Sequence, residues 1–262
     1  MGAAVTEAAT AAPTPTAGDH AVDRCREPSA EPRHRRQQAN GVGIIGESGA
    51  GKSTLANVLL RLARPDAGVV RYQGLDIWTM DRASVRTFRR NVQAVMQDPF
   101  SSFDPRWPIG RSVQEPLWIH RIGNRPERER LLRQSLDSVR LPLGVVDRHP
   151  GELSGGQLQR AAIARALISE PAVIVCDEPL SALDVSIQAQ IASLLLDIQA
   201  YQGVSYVIIS HDLAMTSVLT HDIVVMRHGV VVETGPADEV IGAPRHEYTS
   251  ALIDAVREVN DS

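Results

Sequence analysis

The stretch "GVGIIGESGAGKST", Gly41 to Thr54, decides how the rest of the chain is read. Its first five residues carry no charge and end in two isoleucines, as in a strand covered on both faces. The next eight, "GESGAGKS", fit the pattern G-x-x-x-x-G-K-[ST]. Gly46, Gly49 and Gly51 free the backbone to wrap an anion, with N–H groups and the N-terminus of the following helix directed at it. In this pattern Lys52 reaches the outer phosphates of a nucleotide and the Ser53 hydroxyl holds Mg²⁺. The candidate phosphate cradle is therefore Gly46, Glu47, Ser48, Gly49, Ala50, Gly51, Lys52, Ser53 and Thr54. A glycine-rich turn that binds nothing is the plainer alternative. The strand before the loop and the helical run after it, "STLANVLLRLARP", supply the context that the phosphate reading requires.

Composition points at the same residue. Of 27 basic side chains, 26 are arginine, and the single lysine is Lys52. Arginine serves everywhere else. A compact ammonium among phosphate oxygens is a different demand from a planar guanidinium fork.

Outward from this loop, short β-branched runs alternate with helical periodicity. "NVQAVMQ", "PAVIVCD" and "VSYVIISHD" read as strands; "DVSIQAQIASLLLDIQAYQ" and "LAMTSVLTHD" read as helices. The alternation predicts an α/β fold with a mainly parallel sheet. "DIVVMRHG" and "VVVETG" meet at His228-Gly229 and predict a hairpin. Between Asp98 and Arg160 the pattern changes to charged amphipathic sequence such as "NRPERERLLRQSLDSVRL", which predicts a helical insertion at about 98–160. The α/β core is expected over 41–240 and a helical extension over 241–262. Residues 1–40 have few large apolar side chains and read as a disordered or aberrant segment.

Bulk properties narrow the function classes. The net charge of −4 leaves no global basic field for nucleic acid. No apolar run approaches the ~18 residues of a membrane span. The N-terminal run has no charged region followed by an apolar one, so it does not read as a secretory signal. Gly2 and Thr6 fit a myristoylation pattern, though an Ala/Thr/Pro tail explains the stretch better. Cys25 and Cys176 make no disulfide framework and suit a reducing cytosol.

Two further clusters carry chemistry. "VIVCDEP" puts Asp177 and Glu178 at the tip of a strand. Alone, an acidic pair there is as readily a helix cap. Beside a phosphate loop, Asp177 binds Mg²⁺ directly or through water, and Glu178 orients or deprotonates an attacking water. "ELSGGQLQRAAIARAL" opens a helix at Ser154, a good N-cap. Gly155 and Gly156, followed by Gln157, bare backbone N–H groups at the positive end of the dipole. Glycine costs a helix roughly 1 kcal/mol relative to alanine, a loss easier to accept where an anion docks.

"GESGAGKST", "MQDP", "LSGGQLQR", "VIVCDEPLSALD" and "ISHD", in that order, resemble an ATP-binding cassette (ABC) ATPase from about Gly41 to Gly235. "QDPFSSFDPR", "CDEPLSALDVSIQAQI" and "HEYTSAL" further resemble the ATPase subunits of oligopeptide and dipeptide importers. The fold this implies is that of a P-loop NTPase with a mainly parallel core, a helical insertion subdomain and an antiparallel β-subdomain, here incomplete. The cofactors implied are ATP and Mg²⁺. By resemblance, Ser154 and Gly156 contact the γ-phosphate held by a partner's loop. Gln97 senses Mg²⁺ and the attacking water, and Asp184 lies at the dimer seam. His211 holds the γ-phosphate beside Glu178; unaided, it reads equally well as a strand-end polar residue. The implied partners are membrane-spanning permease subunits and a second, paralogous ATPase subunit, at the cytoplasmic face of the membrane. "FSSFDPRW" holds Phe100, Phe103 and Trp107, a small core or, as the resemblance suggests, an interface with the permease.

The front departs from that pattern. The family places antiparallel strands and an adenine-stacking aromatic before the glycine-rich loop, but residues 1–45 contain no Phe, Tyr or Trp. "HAVD", His20 to Asp23, looks like the lead into one such strand. It runs instead into "RCREPSAEPRHRRQQAN", Arg24 to Asn40, which reads like sequence out of frame or a decayed terminus. His20 is the one candidate left for stacking. Three readings follow: an importer's ATPase subunit, a damaged, weakly active or inactive cassette from a disrupted gene, or a soluble cassette ATPase of DNA repair or translation.

Overall fold

A computed structural model of the protein describes residues 40–181 and 183–260. The expectations for residues 1–39, among them the Gly2–Thr6 pattern, Cys25 and a stacking role for His20, lie outside these residues.

The chain runs β1 (Gly41–Ile45), α1 (Lys52–Leu59), β2 (Arg71–Tyr72), β3 (Leu75–Asp76), α2 (Arg82–Asn91) and β4 (Val92–Val95). Three helices follow, α3 (Ile109–Ile119), α4 (Arg125–Ser138) and α5 (Gly155–Leu167), before β5 (Val173–Asp177). The rest is α6 (Val185–Gln202), β6 (Ser205–Ser210), α7 (Leu213–Leu219), β7 (Asp222–Arg227), β8 (Val230–Pro236), α8 (Ala237–Gly242) and α9 (Glu247–Asn260). The main sheet has the order β4-β5-β6-β1-β7-β8, parallel except for the β7–β8 pair. The mainly parallel α/β fold expected from the strand–helix alternation is the fold observed.

The continuous apolar runs are explained by burial on both faces. Within β1, Ile44 packs with Ala56, Val175 and Ile209, on the side of α1. Its neighbour Ile45 packs with Leu213, Tyr248 and Ile253, from α7 and α9. Adjacent strand residues point to opposite faces, so a strand covered on both sides has no polar face to show. The largest cluster lies among α3, α4, α5 and α6 and the strands they cover; Leu117, Leu136, Leu158, Ile191 and Leu194 are almost fully buried in it.

Both two-residue hairpins have the same cause. His228 and Gly229 adopt φ of 49° and 78°, and Gln73 and Gly74 adopt 50° and 78°. Paired positive φ values make turns whose twist matches that of the flanking strands. The first hairpin was expected from the sequence. The second, β2–β3, was not, although "QG" between short runs is its signal. The charged helix α2 was also missed; Asp81 caps it by accepting from the Ser84 N–H at 2.7 Å.

The aromatic segment divides. Phe103 is 4% exposed and joins the core among the helices, with the guanidinium of Arg165, from α5, 4.6 Å from its ring centre. The expectation that Phe103 anchors an interface is therefore corrected: it is core. Phe100 is 53% exposed, and Trp107 is half-buried under Arg111 at 4.0 Å.

Candidate functional site

The loop after β1, the residues just beyond β4, the tip of β5 and the residue after β6 meet at one edge of the sheet. They are the C-terminal ends of adjacent parallel strands, where open α/β sheets place their ligands. A cavity of about 570 Å³ there is lined by Ser48, Gly49, Gly51, Lys52, Ser53, Thr54, Gln97, Glu178 and His211. None of the described residues lining it is a Phe, Tyr or Trp.

The loop's shape depends on glycine. Gly46 has a φ of 153°, and a Cβ there would lie 2.1 Å from the Met226 carbonyl oxygen of β7. Gly49 and Gly51 adopt φ of 81° and 95°. The Ala50 N–H donates to the Glu47 carbonyl at 3.1 Å. Lys52 is 6% exposed, and its ammonium donates to the carbonyls of Gly46 at 2.8 Å and Glu47 at 2.9 Å. The Glu47 N–H in turn donates to the Tyr248 hydroxyl at 3.0 Å. Sequence reasoning had noted Tyr248 within "HEYTSAL" but had given it no role.

The acidic pair sits opposite. The Ser53 hydroxyl donates to Asp177 Oδ1 at 3.4 Å. Burial raises the Asp177 carboxyl above its ordinary range; Glu178 reinforces this, while the Ser53 hydrogen bond and the Lys52 charge oppose it. Burial also lowers the Lys52 ammonium below its ordinary value, against the pull of Glu178 and Asp177. Both shifts have one physical source: charged groups withdrawn from water in a site that lacks full compensation. Two hard oxygen donors within hydrogen-bond range of each other, one of them a desolvated carboxylate, fit the chemistry of Mg²⁺.

Glu178 is held by both its oxygens. Gln97 Nε2 donates to Oε2 at 3.2 Å, and His211 Nδ1 lies 2.9 Å from Oε1. Its backbone is left-handed, with φ 47°, and its N–H donates to the Ile209 carbonyl of β6 at 2.8 Å. Such a conformation costs a non-glycine residue about 1–3 kcal/mol and persists where the surroundings impose it.

The second glycine pair lies elsewhere. Ser154 and Gln157 form a reciprocal cap at the start of α5, through the Gln157 N–H to Ser154 Oγ and the Ser154 N–H to Gln157 Oε1. A Cβ on Gly156 would lie 2.8 Å from a methyl of Ile187, on α6. Close helix packing therefore gives Gly156 a reason that the sequence reading did not consider. Asp184 is the exposed N-cap of α6. Ser154, Gly155, Gly156, Gln157 and Asp184 do not line the cavity that gathers the other candidates.

Residues 35–181 match the family model described as "ABC transporter". An oligopeptide transport ATP-binding protein of Mycobacterium bovis is 47% identical over 220 residues, covering 84% of this chain and 36% of that protein. The chain thus spans little more than a third of that relative's length. A Brucella ovis protein named for peptide import and ATP binding is 44% identical, covering 82% of this chain and 68% of its own. A glutathione import ATP-binding protein of Pectobacterium atrosepticum is 42% identical, over 82% of this chain and 34% of its own. Among solved structures, the dimeric ATP-binding cassette MJ0796, bound to ADP and Pi in a post-hydrolysis state, aligns with a TM-score of 0.68 at 29% identity. That alignment covers 77% of this chain and 87% of the other. The cbiO1 protein of Clostridium perfringens, part of the ABC transporter complex cbiONQ, aligns with a TM-score of 0.71 at 25% identity, covering 86% and 84%.

Proposed function

The chain belongs to the ABC transporter family, and from that premise we propose that it is the ATP-binding and hydrolysing subunit of an importer for peptides or a related small solute. The observation that carries the reading is the clamped Glu178: a carboxylate held between Gln97 and His211, beside a phosphate loop. The loop N–H groups and Lys52 receive the phosphates of ATP. Ser53, Asp177 and Gln97 would hold Mg²⁺, which when bound neutralises charge on the β- and γ-phosphates. Glu178 orients a water against the γ-phosphorus and takes its proton as the new P–O bond forms. The bond to the bridging oxygen then breaks, leaving ADP and phosphate. His211 steadies both Glu178 and the γ-phosphate.

The site is completed by a second ATPase subunit. The start of α5, with Ser154, Gly155, Gly156 and Gln157, presents its N-terminal dipole to the γ-phosphate on the partner's loop. The exposed Asp184 lies on the seam. Permease subunits dock on the face that carries Phe100 and Trp107, at the cytoplasmic side of the membrane. The names of the relatives support the solute class, and the absence of any helix long and apolar enough to cross a membrane among the described residues agrees with a peripheral subunit.

The test is Glu178→Gln. It is expected to leave ATP binding intact and to slow hydrolysis by about 10²–10⁴-fold, the usual range for a lost general base. Vesicles carrying the permease subunits and this variant should not accumulate a labelled peptide. Wild-type turnover or uptake overturns the assignment.

A further inference from the structure

The phosphate loop is braced from the far end of the chain. Its first residue after Gly46 is fixed at both backbone groups. The Glu47 carbonyl accepts from Lys52 and Ala50, and its N–H donates to the Tyr248 hydroxyl at 3.0 Å. Tyr248 is separated from Glu47 by 201 positions. It is 6% exposed and packs with Ile45, the last residue of β1, and with Leu213. The Arg227 guanidinium lies 4.8 Å from its ring centre.

What holds Tyr248 there is a carboxylate clasp. Glu233, on β8, accepts the backbone N–H of Arg245 at 2.8 Å and of His246 at 3.1 Å, at the mouth of α9. Burial works against the Glu233 charge, but the backbone hydrogen bonds from Arg245 and His246, with the Thr249 hydroxyl nearby, outweigh it and hold this carboxyl below its ordinary value. The His246 ring then accepts from the Tyr248 N–H at 3.1 Å. The first turn of α9 is thereby tied to the sheet, and the tyrosine hydroxyl is set at the loop.

We propose that Tyr248 is a positioning residue of the nucleotide site, setting the entry of the phosphate loop through the Glu47 N–H, with the Glu233 clasp holding it in register. This rests on the nucleotide-binding reading above and extends it to a segment to which no role had been given. Glu47 belongs to the phosphate cradle, and its N–H is the donor turned to the Tyr248 hydroxyl. Left without its acceptor it must find water or tilt, and the N–H groups after it, which face the phosphates, tilt with it. The hydroxyl is therefore expected to act on nucleotide affinity more than on the chemical step.

The experiment uses the full chain and Mg·ATP. Tyr248→Phe keeps the ring, its packing and the Arg227 contact while removing the acceptor. Its dissociation constant for Mg·ATP should rise about two- to tenfold, with the ligand-free melting temperature lowered by no more than the about 2–4 °C that one hydrogen bond is worth. Amide exchange at Glu47 should quicken while β1 and β7 amides stay protected. In the assembled transporter KM for ATP should rise with kcat nearly constant. Glu233→Gln should shift affinity in the same direction by a smaller factor. Wild-type affinity in Tyr248→Phe, or weakened binding with unaltered Glu47 exchange, overturns the proposal. Failure of the nucleotide reading itself would look different: the wild-type chain and Lys52→Ala would then bind Mg·ATP equally poorly.

Discussion

Asp177 shows how function and stability pull apart at one residue. Burial raises its carboxyl above the unfolded value. A group whose folded pKa is raised binds its proton more tightly when folded. Its contribution therefore falls as pH rises from the unfolded pKa through the raised one. Asp177→Asn removes that charge and keeps an oxygen able to accept from Ser53. The variant should melt at a higher temperature than the wild type without nucleotide, and the difference should vanish in acid as the wild-type carboxyl protonates. It should also lose Mg²⁺-dependent tightening of ATP binding. A lower melting temperature at neutral pH would contradict the account. Lys52 runs the opposite way: lowered by burial, it should lose its charge, and with it affinity for ATP, at a pH below that of an ordinary lysine.

At the scale of elements, the join between α5 and α6 carries two demands on one glycine. Gly156 must admit Ile187, whose methyl would lie 2.8 Å from a new Cβ, and its N–H is proposed to face a phosphate on the partner subunit. Gly156→Ala gains helix propensity, about 1 kcal/mol, but overpacks the join at about 1–3 kcal/mol. A net destabilisation of about 1 kcal/mol is expected by chemical denaturation. Adding Ile187→Ala makes room, so the two changes together should cost less than their sum. If packing were the glycine's only task, the double variant would also recover hydrolysis. Alanine keeps the backbone N–H, so continued loss of hydrolysis in a refolded, stable double variant is the expected result and shows that a phosphate needs the bare backbone for close approach.

At the scale of the whole molecule, the two parts of the proposed ATP site lie apart within one chain. The cavity gathers the phosphate loop, Gln97, Glu178 and His211, and the start of α5 does not line it. Ser154→Arg should therefore abolish hydrolysis while the same chain still binds ATP. Hydrolysis by the wild type should fall on dilution more steeply than protein concentration; undiminished specific activity in a dilute monomer would defeat the shared-site model. Base recognition is a separate matter. Residues 1–45 contain no Phe, Tyr or Trp, and neither do the described residues that line the cavity; stacking contributes about 1–3 kcal/mol per base where truncation has tested it. ATP should bind weaker by roughly 5- to 150-fold than in a cassette with a stacking aromatic, and GTP nearly as well as ATP. Grafting a lead-in with one aromatic in place of residues 1–40 should tighten ATP binding. Strong selectivity for adenine in the unaltered chain would refute this.

The sequence by itself determined the fold class and the cradle, because both are written locally. Strand burial on two faces leaves unbroken apolar runs such as "VIVC", and a phosphate loop needs glycines and a lysine at fixed offsets within nine residues. The β7–β8 hairpin was legible from His228-Gly229 for the same reason. The short β2–β3 pair was not, since two-residue strands have no period to detect; the charged helix α2 offered only Val85 and Phe88, one turn apart among arginines, as its signal. Only the tertiary structure decided that Phe103 is core, because whether Arg165 reaches over its ring depends on where α5 lies. It alone clamped Glu178 between Gln97 and His211, residues 81 positions before it and 33 after it. It alone brought Tyr248 across 201 positions to the loop it braces. Contacts between distant segments are set by how strands and helices pack in three dimensions, and no spacing along the chain records that.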